Sequence, residues 1–423
     1  PGRTRSARWP PTWNISGRWN LDEEEFFQPA KDIVSHAALK LSYSLTGDRG
    51  PNLTNSTAII SSYTPFRPFT SVQESGLELV TLGNSELTYE KKNEFNVGVD
   101  LGFIDNRINV TMDFYTRNNH DLIGTTKTQG VGGEIAKYAN VASMKSHGFE
   151  LSVSSTNIKR KDFSWTTDFI YSVYKNEVTE LNAVASTMDY VSGTGFTMVG
   201  YPHRGLFSIP FAGLDENGIP TFYNEKGEIT STDISFQYSD DFSWLKYEGP
   251  TEPTFSGSLG NTFTYKNLRL NVYFTYSGGN VVRLDPVFSS RYSDLSATTR
   301  EFANRWMKPG DENVTNVPAI LSYRQYYNNT QLSYAYNAYN YSTERVAKGG
   351  FIRLKEISLS YDVPKKWISA LKISSLSLKL QATNLCLLYA DKKLNGQDPE
   401  FVNSGGVASP VPRQFTFTLR LGI

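Results

Sequence analysis

The chain has 423 residues, 39% hydrophobic and 13% aromatic, with 42 Lys+Arg balanced by 42 Asp+Glu. A net charge of zero gives no electrostatic reason for a nucleic-acid partner, and a single cysteine excludes an internal disulfide framework or a cysteine-rich metal site. No apolar run is long enough for a membrane helix and no signal segment or methionine opens the chain, which reads as a processed product or a piece of something longer.

From the N-terminus, Trp13, Ile15 and Trp19 recur at even spacing in PTWNISGRWN and predict a strand. The acidic-aromatic segment LDEEEFFQPAKDIVSH follows and suits a turn of helix. Ala37, Leu39, Leu41, Tyr43 and Leu45 then alternate with polar neighbours as a second strand, and 47–92, rich in Ser, Thr, Pro and Gly, reads as a long loop. The clearest signal is 94–118. Phe95, Val97, Val99, Leu101 and Phe103 alternate with Glu94, Asn96, Gly98, Asp100 and Gly102. After Asp105-Asn106, a pair tolerant of positive φ, the alternation resumes as Ile108, Val110, Met112 and Phe114 against Asn109, Thr111 and Asp113. Strands of about ten residues with period two have the length a tilted strand needs to cross a bilayer.

Residues 119–145 read as a loop. One further strand carries His147, Phe149, Leu151 and Val153, and after a polar link the next carries Phe163, Trp165, Phe169, Tyr171 and Val173. Two very long connections, 175–251 and 278–350, flank a tight hairpin tipped by Lys266-Asn267, whose second strand presents Leu268, Leu270, Val272, Phe274 and Tyr276 on one face. In FIRLKEISLSYDV the alternation slips between Leu354 and Ile357 as at a bulge, and Pro364 ends that strand. Leu376, Leu378 and Leu380 mark the next strand, in which Cys386 is a small apolar residue; Phe415, Phe417, Leu419, Leu421 and Ile423 mark the last.

About eleven long strands, joined alternately by short and long links, have the sidedness of an outer-membrane barrel: all-β, antiparallel, with short periplasmic turns and long extracellular loops. The aromatic excess, Tyr 25 and Phe 25, suits the girdles of such a barrel. On this sidedness the first and last strands both run inward and the chain ends in the periplasm. Bacterial barrels have even strand numbers, and a part-barrel leaves two bare edges in lipid. The expected organisation is therefore that 1–423 is the C-terminal part of a larger barrel.

These residues resemble the SusC/RagA class of TonB-dependent (TonB-linked) outer-membrane transporters of Bacteroidetes. LKLSYSLTGDRG is similar to that family's strand leading into a Thr-Gly-Asn loop, and ELTYEKKNEFNVGVDLGFIDNRINVTMDFYTRNNHDLI to its most recognisable hairpin. NVASMKSHGFELSV is similar to its N-x-G-x-M-x-N-x-G-F-E strand. Further matches, in family order, are GYPHRGLFSIPFAGLDENGIPTFYNEKG, PTFSGSLGNTFTYKNLRLNVYFTYSGGN, FIRLKEISLSYDVP and LQATNLCLLYADKKLNGQDPEF. The resemblance implies a barrel of about twenty-two strands, filled by an N-terminal plug and covered by a hinged SusD-like surface lipoprotein, with the present strands as its second half. It implies that the plug and TonB box, through which TonB-ExbB-ExbD would act, have no counterpart in 1–423. One departure is Ile423, where the family closes on an aromatic residue.

No catalytic constellation is present: His36, His120, His147 and His203 are scattered, there is no G-x-S-x-G elbow, and Asp215-Glu216-Asn217-Gly218 reads as a turn rather than a calcium loop. No enzymatic activity, metal or cofactor is expected. Loop aromatics are the candidate substrate contacts, because sugars and peptides are held by ring faces plus a few polar groups. They are Tyr190, Phe196, Trp244, Tyr326, Tyr327, Tyr336 and Tyr339, although for any single one of these rings packing the loops together or facing the lipoprotein lid is the favoured role. Trp306 and Asp398-Pro399-Glu400 match family motifs and read as structural. The polar residues Glu94, Asn96, Asp100, Asn109, Thr111, Asp113, Gln414, Thr416 and Arg420 are expected to line the lumen, satisfying one another or contacting the plug. The expected function is active import of an oligosaccharide or peptide. Siderophore or cobalamin import, a passive porin and a structural barrel component are the alternatives, and strand length disfavours a soluble lectin-like sandwich.

Overall fold

Alternation of apolar and polar residues over strands this long produces one continuous surface. In the computed structural model, which describes residues 9, 11–50, 57–65, 75–130, 135–182, 185–236, 241–287, 299–369, 373–402 and 410–422, eleven strands pair in chain order as a single antiparallel sheet. They are β1 (Trp13–Asn20), β2 (Val34–Asp48), β3 (Glu90–Phe103), β4 (Ile108–Lys127), β5 (Ala136–Lys159), β6 (Phe163–Leu181), β7 (Phe255–Tyr265), β8 (Leu268–Gly278), β9 (Phe351–Asp362), β10 (Ser375–Ala390) and β11 (Gln414–Gly422). Among the described residues, β1 and β11 are paired on one side only. Ile423 lies outside the described residues.

The register keeps the two faces apart. Val97 of β3 stands opposite Leu41 and Phe114, Leu151 of β5 opposite Met112 and Tyr171, Leu259 of β7 opposite Phe169 and Phe274, and Leu380 of β10 opposite Leu359 and Phe417. This apolar row is exposed rather than packed: Phe114 is 49% and Phe417 62% accessible. A soluble sheet would bury such a row, so the solvent it fits is hydrocarbon. The 11 residues of β7 run from Phe255 to Tyr265, a rise of about 25 Å once the strand is tilted, which matches the apolar band of an outer-membrane barrel.

Several links differ from the sequence expectation. The stretch 47–92 is not plain loop, since Ile59–Tyr63 and Gly76–Thr81 form a hairpin of their own. The expected loop 119–145 is mostly ladder, because β4 runs on to Lys127 and β5 already begins at Ala136. Irregularities between Asn119 and Ile123, with Asp121 at φ 59°, switch the faces there and erase the period-two signal while the hydrogen bonds continue. Likewise β6 persists to Leu181. The tip of the β3–β4 hairpin is four residues long rather than two, because Ile104, Asp105 and Asn106 all adopt positive φ and pairing resumes at Phe103 with Ile108. The slip in β9 is a bulge: Phe274 faces Leu354 and Tyr273 faces Glu356, leaving Lys355 as the extra residue. Leu354 and Ile357 thereby keep to the same apolar row.

The compact apolar core lies in the connections β6–β7 and β8–β9, which fold together. Val191, Phe207, Ile209, Phe222, Ala335 and Tyr339 are among its buried members. The link β1–β2 contains two short 3-10 turns, Leu21–Glu23 and Glu25–Ala30, where a turn of helix was expected.

Candidate functional site

Two surfaces can meet a solute: the polar inner face of the sheet and the loop assembly at one end of it. On the inner face, acidic and basic residues of neighbouring strands neutralise one another. Asp100 accepts from Lys40 Nζ at 2.9 Å and Thr111 Oγ1 at 3.2 Å and lies 3.5 Å from Arg18 Nη1. Glu94 lies 2.8 Å from Arg117 Nε and 3.0 Å from Lys92 Nζ. The Arg117 guanidinium sits 4.0 Å from the centre of the Tyr115 ring, which folds flat over Gly148.

The other residues assigned to this face share the same row. Asn96 stands opposite Ser42 and Tyr115, Asp113 opposite Gly98 and Glu150, and Asn109 opposite Gly102 and Ser154. Across β10 and β11, Gln414 faces Thr383, Thr416 faces Gln381 and Arg420 faces Ser377. Asn109 serves its own turn, its Nδ2 donating to Asn106 O at 2.8 Å. A groove of about 620 Å³ follows the inner face from β7 to β11, where Arg269, Lys379 and Arg420 stand with Glu356 and Asp362. With its charges paired, the wall around Glu94 and Asp100 is built to be polar and smooth rather than to grip a ligand.

The loop assembly is held by local signals and one buried cation. Ser186 and Asp189 form a capping box on helix Thr187–Val191. Strand Gly205–Ser208 pairs with Lys246–Pro250, and Val281–Arg283 pairs with Val346–Lys348. Arg283 joins both connections: Nη1 donates to Ser208 Oγ at 3.1 Å and Ser342 O at 2.8 Å, and Nη2 to Phe207 O at 2.7 Å and Val191 O at 3.2 Å. Desolvation pushes its pKa down to about 10, so it stays charged at neutral pH and its forked donors serve carbonyls from both connections.

The aromatic candidates divide by burial. Tyr190 packs edge-on against Phe196 and Phe207 with centroids 5.1 and 5.5 Å away, and Tyr339 packs against Phe211 at 5.8 Å. Tyr336 is buried with its hydroxyl donating to Ala319 O at 2.6 Å. Tyr190, Tyr336 and Tyr339 are therefore buried among the packing rings of the core that the two connections share. Phe196 and Trp244 are half-buried against that core. Tyr326 is half-buried, whereas Tyr327 is 74% exposed and stacks on Tyr323, 82% exposed, at 6.1 Å. Tyr323 was missed by sequence reasoning, although its spacing of four residues from Tyr327 places both on one face of helix Tyr323–Asn328.

The motif residues are structural. Trp306 donates from Nε1 to Glu312 Oε2 at 2.9 Å and covers Gly218, where an added Cβ would lie 2.5 Å from the ring. Asp398 is ion-paired with the buried Arg353 of β9 at 2.6 Å. The buried arginines 283, 345 and 353 were not foreseen; nothing in the local pattern separates them from arginines that face water.

No family model matches the chain. In sequence it is 24% identical over 414 residues, 90% of its length, to TonB-dependent receptor P3 of Formosa agariphila. It is likewise 24% identical over 441 residues, 99% of its length, to TonB-dependent receptor SusC of Bacteroides thetaiotaomicron. The chain spans 37% and 40% of these two relatives. Among solved structures it matches the RagAB peptide transporter with a TM-score of 0.79 at 23% identity, covering 99% of this chain and 44% of that one. The RagAB peptide importer in its closed-closed state gives 0.77 with the same coverage.

Proposed function

We propose, from the premise that this outer-membrane chain is a relative of the SusC/RagA-type TonB-dependent receptors, that it forms the C-terminal half of an importer's wall and much of its extracellular vestibule. The cargo is an oligosaccharide or peptide, captured between the loop assembly and a SusD-like surface lipoprotein. A plug and the remaining strands, supplied by the rest of the transporter, close the lumen until TonB-ExbB-ExbD displaces the plug.

The observation that carries this reading is the joint folding of the connections β6–β7 and β8–β9 on one apolar core. A passive pore needs long loops only to narrow its mouth. A shared core knitted by a buried arginine instead makes a stiff rim against which a lid can close on a ligand. The edges of β1 and β11, which have no partner strand among the described residues, fit a wall that is completed by other strands. The test is uptake by intact cells of the native host with and without the gene, in the presence and absence of a proton uncoupler, together with the proteins that co-purify from the outer membrane. Gene-dependent uptake abolished by the uncoupler, with a surface lipoprotein co-purifying, is the expected result. Uptake indifferent to the uncoupler, with no lipoprotein retained, would establish a porin instead.

A further inference from the structure

A cavity of about 690 Å³ opens between the β8–β9 connection and the turn that follows β10. Four cations, Arg305, Arg345, Lys392 and Lys393, line it against three carboxylates, Glu301, Asp311 and Glu344. Two of those carboxylates are already engaged. Glu301 pairs with Arg345 and accepts from Asn395 Nδ2 at 2.7 Å, while Asp311 accepts the backbone N–H groups of Met307 and Lys308 at 3.0 and 3.1 Å. The two arginines are engaged as well, Arg345 donating from Nη2 to Asp285 O at 2.6 Å and Arg305 from Nη1 to Phe302 O at 3.3 Å, which leaves the two lysines. The ammonium groups of Lys392 and Lys393 have no acceptor among the described residues, and Lys393 uses only its backbone N–H, toward Asp391 Oδ1.

A side chamber of about 150 Å³ shares Arg345, Glu301 and Lys393 with the main cavity. Arg345 is only 3% exposed, and among the described residues its Nε has no partner, nor has the buried Oγ1 of Thr299 on the chamber wall. The guanidinium charge is already met by Glu301, so a carboxylate entering the cavity takes its main attraction from the two lysines at the rim, with Arg345 as a buried donor behind them. We infer that this cavity is a subsite for a carboxylate on the imported ligand, recognised by Arg345 from within and by Lys392 and Lys393 at the rim. The same chemistry is offered by a uronic-acid unit of an oligosaccharide and by the C-terminus of a peptide. The inference rests on the importer reading, which supplies a ligand to bind.

The test is calorimetric binding to the intact transporter in detergent with two matched pairs of probes: trigalacturonate against galactotriose, and trialanine against its C-terminal amide. In one pair the carboxylate form binds about tenfold or more tightly than its neutral counterpart, which names the source. Lys392→Gln/Lys393→Gln weakens that form by about tenfold and spares the neutral one, and added salt does the same in the unaltered protein. Glu344→Gln, which removes a competing rim charge, tightens it. Equal binding of charged and neutral probes, indifference to the lysine substitutions, or no binding of either carboxylate at millimolar concentration overturns the inference. Uptake by cells separates the two readings: uncoupler-sensitive import with no carboxylate preference in binding sinks only the subsite, and carboxylate binding without import sinks only the importer.

Discussion

Arg353 and Asp398 meet as a buried pair, with Nη2 of the arginine 2.6 Å from both carboxylate oxygens and Oε2 of the partly exposed Glu400 2.7 Å from the same nitrogen. Arg353 stands on β9 and Asp398 on the β10–β11 connection, so the pair clamps that connection to the wall. Removing Asp398 leaves the buried guanidinium with the partly exposed Glu400 alone, and Asp398→Ala is expected to cost about 1–3 kcal/mol. The measurement is the temperature at which the full-length barrel loses its folded mobility on a semi-native gel. Replacing both residues together, as Arg353→Met/Asp398→Leu, should recover most of the loss; no recovery would mean that the pair supplies more than mutual neutralisation.

Arg283 makes a parallel case in the loop assembly. Arg283→Met takes the guanidinium donor from the carbonyls of Phe207 and Val191 and leaves Ser342 O with the backbone N–H of Arg345 alone, a loss of about 3 kcal/mol. Hydrogen exchange should rise on the order of a hundredfold across 205–208 and 342–348 while β3–β6 remain protected. Uniform deprotection of the sheet would show instead that loops and wall unfold as one unit.

The contrast between these two regions explains what the sequence made legible. Strands show because lipid on one side and polar lumen on the other force period two, and even the extra residue at Lys355 is visible as a slip between Leu354 and Ile357. Once β4 leaves the band near Asp121, neither solvent imposes alternation, and the ladder continues unseen. The loop core is harder still. Tyr327 and Tyr336 are nine residues apart in a run of tyrosines and asparagines, yet one is exposed and the other buried, because the difference is made by Phe207, Ala319 and Ile209 arriving from elsewhere in the chain. Non-local packing of this kind has no local signature.

His203 gives the loops a pH dependence. Desolvation holds its pKa below the ordinary imidazole value, opposed in part by Glu252 and reinforced by Arg204, and its ring nitrogen Nδ1 lies 3.2 Å from Thr197 Oγ1. With the folded value depressed, the neutral ring's contribution is fully present above the unfolded pKa of about 6.5. As pH falls below that point the unfolded chain takes up the proton first, and stability declines until the folded ring protonates too. Protection factors in 196–205, referred to the intrinsic exchange rate at each pH, should therefore fall from pH 7.5 to 5.5, and His203→Gln should flatten the profile. A profile unchanged by the substitution would assign the effect to another group.

The lumen wall offers a test of how tightly the barrel interior is packed. Gly148 stands opposite Tyr115, and a Cβ placed on it would lie 2.4 Å from the tyrosine's Cζ and hydroxyl. A free ring would swing aside at little cost, but this one is 7% exposed and covered by the Arg117 guanidinium, itself held by Glu94. Gly148→Ala should displace the ring into that ion pair and lower stability by about 1–3 kcal/mol. Tyr115→Ala removes the collision, so in the double variant the alanine at 148 should carry almost no further penalty, giving a coupling energy of about 1 kcal/mol or more. Equal penalties with and without the tyrosine would show that the ring moves freely and that the paired charges beyond it, rather than packing over glycine, keep the inner face in order.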